Sequence, residues 1–158
     1  MKNNNKFTDG YCSKNEEICK NPEASKWIEL VANGDQSASD FGWSFWCFMH
    51  VFDDLIDKDV EVSKEDAVKE FSKFFTTICY NEFFNKYKYQ LFPMIISLCN
   101  RCVCGDEWEK SEDQEKKKLA RVVRCGDIDI FFHIAFLTGG WKLMRELKDM
   151  RRYDKETT

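Results

Sequence analysis

Three aspartates, Asp53, Asp54 and Asp57, end an otherwise apolar and aromatic segment, "WCFMHVFDDLIDKD". Asp53 and Asp57 are one helical turn apart with Asp54 beside them, so their oxygens can converge on a hard cation such as Mg²⁺. The C-terminus of a helix carries partial negative charge, which disfavours each aspartate there by a few tenths to about 1 kcal/mol. The three carboxylates therefore require compensation, and we expect Mg²⁺ to provide it.

Trp43, Trp46 and His50 share one side of this predicted helix with the aspartates. We therefore expect that side to border a cavity in which tryptophan lies above the carboxylates. His50 is expected to hydrogen-bond one of the metal-binding carboxylates. The alternative is a solvated acidic helix end that pairs with Lys58 and other lysines.

The quoted residues resemble a known motif. "FDDLID" resembles the DDxxD motif of class I isoprenoid synthases, and "VFDDLIDKD" is especially similar to the first aspartate-rich motif of squalene and phytoene synthases. The resemblance implies that Asp53, Asp54 and Asp57 lie on a bundle helix and hold Mg²⁺, which binds a substrate diphosphate beneath an aromatic-lined cavity. The second acidic motif of that family has no counterpart, because neither Asp106 with Glu109 nor "RCGDID" has its spacing.

A second resemblance concerns the order of short segments along the chain. "DDLID", "NEFF", "LFPM" and "GG" follow one another as in short uncharacterised proteins encoded by bacteriophages, for which no function is implied.

Basic residues on a later helix are candidates for binding phosphate. Arg121 and Arg124 share a helix face with Lys117, and this face could hold phosphate oxygens opposite the metal. The alternative is a surface helix with ion pairs, in which Arg124 reaches Asp127.

A further pair with metal-ligand chemistry lies four residues apart within "IDIFFHIAF". Asp129 and His133 could ligate a metal ion, or each could be satisfied by a buried hydrogen bond.

The composition and spacing predict an all-α fold. A chain of 158 residues with 43% hydrophobic content and two prolines has the size of one domain. Residues 1–20 are expected to form a loosely structured arm, 21–152 a single all-α domain and 153–158 a flexible tail. The domain is predicted to be an antiparallel bundle of five or six helices, and the resemblance implies a reduced terpenoid-synthase-like bundle.

Capping residues and apolar spacing predict the helix boundaries. The first helix begins at Asn21, with Pro22 in its first turn, and stops at Asn33-Gly34. The second begins at Ser37 or Ser39 and is the central element, and the third begins at Ser63. A fourth helix is expected to run to Gly105, and Pro93 either opens it or kinks it. A fifth is expected from Ser111 to Thr138, and a last, basic helix follows Gly139-Gly140. Val68, Phe71, Phe75 and Ile78 have the spacing of an apolar face in the third helix.

Charge and hydropathy limit the function classes. The formal charge of −4, from 28 acidic and 24 basic residues, predicts no binding to duplex nucleic acid. No window predicts a membrane span, and we expect a cytoplasmic protein. The residues therefore predict a small all-α protein that binds Mg²⁺ through its aspartates and, through the metal, a diphosphate-containing ligand. The alternative is a non-catalytic, phage-type accessory protein that binds a host protein or a small molecule.

The cysteines are predicted to be reduced and free of metal. Cys99, Cys102 and Cys104 in "CNRCVCG" could hold zinc together with Cys125, but a second C-x-x-C pair is missing. Most of the eight cysteines lie in apolar helical runs, where free cysteine packs as a small hydrophobe. Metal analysis of the purified protein is expected to find no zinc, and stoichiometric zinc would contradict this prediction.

Overall fold

The protein is an antiparallel bundle of α-helices. A computed structural model describes residues 22–147, and within that range there are six helices and no strand. They are α1 (Pro22–Ala32), α2 (Gln36–Asp57), α3 (Lys64–Tyr80), α4 (Glu82–Glu109), α5 (Gln114–Arg124) and α6 (Asp127–Leu147). None of these helices is both long enough and apolar enough to cross a membrane. The predicted N-terminal arm (1–20), the cap at Asn21 and the predicted tail (153–158) lie outside the described residues.

Helix α2 is the central element, as its sequence predicts. It packs against α1, α3, α4 and α6. Phe45 is fully buried, and its ring centroid lies 5.7 Å from that of Phe131 on α6 and 6.5 Å from that of Phe74 on α3. These aromatic contacts hold α2 on several sides, so the aspartates in its last turns have a fixed position relative to the other helices.

The cap of α2 differs from the prediction. Asp35 caps the helix, because its carboxylate accepts a hydrogen bond from the Ala38 N–H at 3.0 Å. Ser37 lies inside α2 and its hydroxyl accepts from the Phe83 N–H at 2.9 Å, at the start of α4. The prediction of Ser37 or Ser39 as the cap is therefore wrong, and Ser37 instead satisfies a backbone donor of a neighbouring helix.

Helix α4 begins earlier than predicted. Asn81 caps it, accepting from the Phe84 N–H at 2.7 Å, and the helix continues to Glu109. Pro93 therefore lies inside a long helix and does not open one.

The predicted helix from Ser111 to Thr138 is interrupted after Arg124. Asp113, and not Ser111, caps α5 through bonds from the Glu115 and Lys116 N–H groups. At the other end of α5, Arg101 on α4 donates to the carbonyl oxygens of Val122 and Val123 at 3.2 and 2.8 Å. These carbonyls belong to the last turn of α5, where no continuing helix supplies donors, so Arg101 stabilises the break.

The predicted interruption at Gly139-Gly140 is confirmed. Gly140 has a φ of +71° and a non-helical ψ inside α6. This conformation is open to glycine because it has no Cβ.

Helix α3 begins at Ser63 as predicted, since the Ser63 hydroxyl accepts from the Asp66 N–H at 3.0 Å. The predicted apolar face is partly buried, because Phe71 and Ile78 pack against the core as expected. Phe74 and Glu70 are buried, whereas Val68 and Phe75 are 66% and 55% exposed. Both carboxylate oxygens of Glu70 are buried without a hydrogen-bond partner, which is energetically costly.

Replacing Glu70 by methionine is expected to stabilise the fold. Glu70→Met keeps a similar side-chain length and removes two buried, unpartnered oxygens, so we expect an increase of about 1 kcal/mol or more in unfolding free energy. Such a change raises the melting temperature of a domain of this size by about 2–4 °C. Glu107→Met, an exposed change on α4, controls for the general effect of methionine in a helix. A lower melting temperature for Glu70→Met than for the wild type would contradict the prediction.

Candidate ligand-binding site

A cavity of about 260 Å³ lies beside the C-terminal half of α2, where α2, α4, α5 and the start of α6 meet. Its apolar wall consists of Phe45, Trp46 and Met49 from α2 and Leu98 from α4. Charged side chains from all four helices also line it: Asp53, Glu109, Arg121, Arg124 and Asp127. The cavity therefore joins an aromatic surface to a group of opposite charges.

The structure brings most of the predicted site residues together. Trp46, His50, Asp53, Arg121 and Arg124 all line this cavity. The Trp46 and His50 rings are 4.3 Å apart and meet edge to face.

Three predicted residues lie elsewhere. Trp43 is half-buried against the core and does not line the cavity. Asp54 and Asp57 also lie outside the lining, although Asp57 shares Arg124 with Asp53.

Arg124 binds three carboxylates at once. Its Nη2 donates to Asp53 Oδ2 at 2.9 Å and to Asp57 Oδ2, and its Nη1 donates to Glu109 Oε2 at 2.9 Å. The side chains of Arg124 and Asp57 are 17% and 9% exposed. A protein cation from α5 thus compensates Asp53 and Asp57, a role for which the sequence alone suggested Mg²⁺.

The electrostatics at Arg124 keep the guanidinium charged. Burial acts to lower its pKa, but hydrogen bonds to Asp57 and Asp53, with the charge of Glu109, outweigh burial and raise the pKa above its usual value. The arginine is therefore a permanent cation within the cluster.

Asp54 lacks the compensation that its neighbours receive. Burial raises its pKa, and the charges of Asp57, Asp53 and Asp59 raise it further. Two carboxylate oxygens in the cluster, Asp54 Oδ2 and Asp53 Oδ1, are buried and have no hydrogen-bond partner. The cluster therefore retains negative charge that Arg124 does not neutralise.

These oxygens provide a test of whether Mg²⁺ fits. Within residues 22–147, no group of three or more His, Cys, Asp or Glu side chains is arranged to hold a metal ion. Mg²⁺, however, commonly uses one or two protein carboxylates and completes its coordination with water and phosphate oxygens. Asp53 Oδ1 and Asp54 Oδ2 are unpaired carboxylate oxygens on adjacent residues. Carboxylate oxygens of this kind are ligands that Mg²⁺ prefers, although of these two residues only Asp53 lines the cavity.

Glu109 is a site residue that sequence reasoning missed. In the sequence it stands near Asp106, without the spacing of a second acidic motif. Its position at the last turn of α4, opposite the end of α5, follows from the packing of the two helices. The sequence does contain a signal for this contact: α4 ends with acidic residues, and after a short loop the basic helix α5 follows.

Asp129 and His133 do not share a ligand. Asp129 pairs with Arg101 at 2.9 Å, and His133 Nε2 lies 3.0 Å from Gln90 Oε1. Burial lowers the pKa of His133. Each side chain therefore has its own polar partner, although both contacts are exposed and not buried as expected.

Burial keeps the Cys102 thiol in the cavity lining from being activated. Cys102 and Cys125 are free cysteines in the lining. Burial raises the pKa of Cys102 to about 12, assisted by Asp53 and Cys99 and opposed by Arg124. Burial also raises the pKa of Cys99. Both residues therefore favour the protonated thiol, whereas a zinc ligand must be a thiolate.

Comparison with known proteins adds no identity. No protein-family model matches the chain, and no curated protein and no solved structure is significantly similar to it.

Removing the Arg124 charge is expected to destabilise the protein. Arg124→Met leaves Asp53, Asp57 and Glu109 without their shared donor, and we expect a loss of about 1–3 kcal/mol in unfolding free energy. Thermal unfolding would measure it as a fall of about 2–4 °C per kcal/mol. Lys117→Met makes the same charge change at an exposed position of the same helix, α5. Equal losses for the two variants would show that net charge matters and the Arg124 bonds do not.

Proposed function

We propose that this protein binds a compact small molecule carrying a phosphate or diphosphate group, together with Mg²⁺, in the cavity between α2, α4, α5 and α6. The observation that carries the proposal is that one cavity is lined by Asp53, by Arg121 and Arg124, and by Trp46. Acidic, basic and aromatic groups in one concave site favour a small-molecule ligand over a flat protein partner.

Unpaired carboxylate oxygens support the metal part of the proposal. Asp53 Oδ1 and Asp54 Oδ2 are buried without partners, and Asp54 is disfavoured as an anion. A divalent cation would offset this cost directly. When bound, Mg²⁺ would neutralise phosphate charge and fix the position of the phosphate oxygens.

The two arginines support the anion part. A guanidinium offers donors in a planar fork that matches phosphate oxygens. Arg124 contacts its three carboxylates through Nη1 and Nη2, so a phosphate would compete with these carboxylates for the same donors. Mg²⁺ bound by Asp53 and Asp54 would then supply positive charge in place of the guanidinium that the phosphate engages.

The apolar wall and the volume limit the rest of the ligand. Phe45, Trp46, Met49 and Leu98 offer contacts to carbon atoms. A volume of about 260 Å³ lies at or below the low end for ligand pockets, which are roughly 300–1,000 Å³. The ligand is therefore compact.

The proposed function is ligand binding without a catalytic step. Cys102 remains a protonated thiol at neutral pH and is a poor nucleophile. The resemblance of "FDDLID" to the isoprenoid-synthase motif supports the metal and the diphosphate.

Asp54→Asn provides a sharper test than substitution of Asp53 or Asp57, because Asp54 forms no bond with Arg124. We expect Mg²⁺ to raise the melting temperature of the wild type, and Mg²⁺ with pyrophosphate to raise it further, since both bind the folded state. Asp54→Asn should abolish the Mg²⁺ effect while the metal-free variant remains folded and no less stable. Calorimetric titration should show that pyrophosphate binding weakens roughly tenfold or more, which is 1.4 kcal/mol or more.

Two controls separate specific binding from screening. Asp59→Asn removes the same charge at an exposed position two residues beyond Asp57 and should keep the Mg²⁺ response. Sodium chloride at matched ionic strength should not reproduce the shift. If salt reproduces it, or if Asp59→Asn and Asp54→Asn respond alike, the metal proposal is wrong.

A further inference from the structure

The position of Arg124 depends on a helix that has little core of its own. Ala120 is the one residue of α5 that is buried, and α5 packs mainly against α4. The carboxylates that Arg124 binds lie on α2 and on the last turn of α4. The arginine side chain must therefore cross the surface of α4 to reach Asp53 and Asp57.

Gly105 occupies the part of α4 that this side chain crosses. It is buried within the helix, where glycine is less favourable than alanine because it loses more backbone entropy. A Cβ at this position would lie 2.2 Å from Arg124 Cγ and 3.0 Å from Arg124 Cδ. It would also lie 3.2 Å from the Ala120 carbonyl oxygen.

We infer that Gly105 is a positioning residue for Arg124: its missing side chain provides the space through which the arginine stem reaches the carboxylates. The ligand-binding consequence of this inference rests on the proposed function, whereas the structural consequence does not.

The arginine has little freedom to avoid a side chain at position 105. The predicted clash is with Cγ, which is next to Cβ, so relief requires a change of χ1 that moves the whole guanidinium. The guanidinium is bound to two helices at once, including Glu109 one turn beyond Gly105 on the same face of α4. Moving the stem therefore breaks the bonds to Asp53 and Asp57.

A double-mutant cycle tests this inference without any ligand. Gly105→Ala is expected to lower the melting temperature of the wild type. Arg124→Ala removes the stem, so Gly105→Ala should cost much less in that background. Arg124→Met removes the guanidinium and its bonds but keeps the stem, so the stem can rotate away from the added methyl group and the cost of Gly105→Ala should be reduced there as well. If Arg124→Ala does not fold alone, the same comparison is made with Asp57→Asn added to each variant.

One outcome of the double-mutant cycle would contradict the positioning role of Gly105. If Gly105→Ala lowers the melting temperature equally with arginine, alanine and methionine at position 124, Gly105 serves only the approach of α5 to α4 at Ala120, and the inference is wrong.

Ligand titrations add a readout that a purely structural role would not change. Gly105→Ala is expected to weaken pyrophosphate binding in the presence of Mg²⁺ at least tenfold, and to increase the melting-temperature shift caused by Mg²⁺ alone, because Asp53 and Asp57 lose their protein cation. Unchanged pyrophosphate affinity in Gly105→Ala would overturn the ligand part of the inference. Absence of binding to the wild type, with the thermal cycle as expected, would overturn the proposed function and leave the positioning role of Gly105 intact.

Discussion

The structure around the cavity depends on one guanidinium among several carboxylates. Helix α2 ends with three aspartates at its negative pole, and its position in the centre of the bundle keeps Asp57 away from water. Arg124 is the cation that makes this arrangement tolerable, because it binds Asp53, Asp57 and Glu109 together. The C-terminus of α2, the end of α4 and the end of α5 are consequently held at one point.

The need to pair Arg124 with these carboxylates accounts for features of the chain that have no role in the core. The short helix α5 has one buried residue, yet Arg101 holds its last carbonyls and Arg124 holds its end to α2. Gly105 lowers the helix stability of α4 locally, and because it has no Cβ it leaves space for the Arg124 side chain. The position of α5 is therefore set by polar contacts and close backbone approach more than by apolar burial.

The same cluster explains why a charged ligand pair suits the cavity. Arg124 leaves one buried oxygen of Asp54 and one of Asp53 without a hydrogen-bond partner, and a further cation would offset this cost. In the proposed complex, an anion that binds Arg124 takes donors from the aspartates and so increases their affinity for a cation. A cation bound to the aspartates in turn releases Arg124 to bind the anion. Reciprocal coupling of this kind follows from linkage, because each ligand changes the affinity for the other by the same factor.

The sequence by itself determined the helical class, the central place of α2, the break at Gly139-Gly140 and five of the residues that line the cavity, Trp46, His50, Asp53, Arg121 and Arg124. These follow from spacing and capping, which decide what shares a face and where a helix ends. Tertiary structure alone decided that Ser37 accepts a backbone N–H at the start of α4, that Phe74 and not Phe75 is buried, and that Arg124 reaches Asp53, 71 residues away. The reason is physical: periodicity defines the faces of a helix, but the neighbour that covers each face, and therefore the partner of each buried charge, depends on how the helices pack.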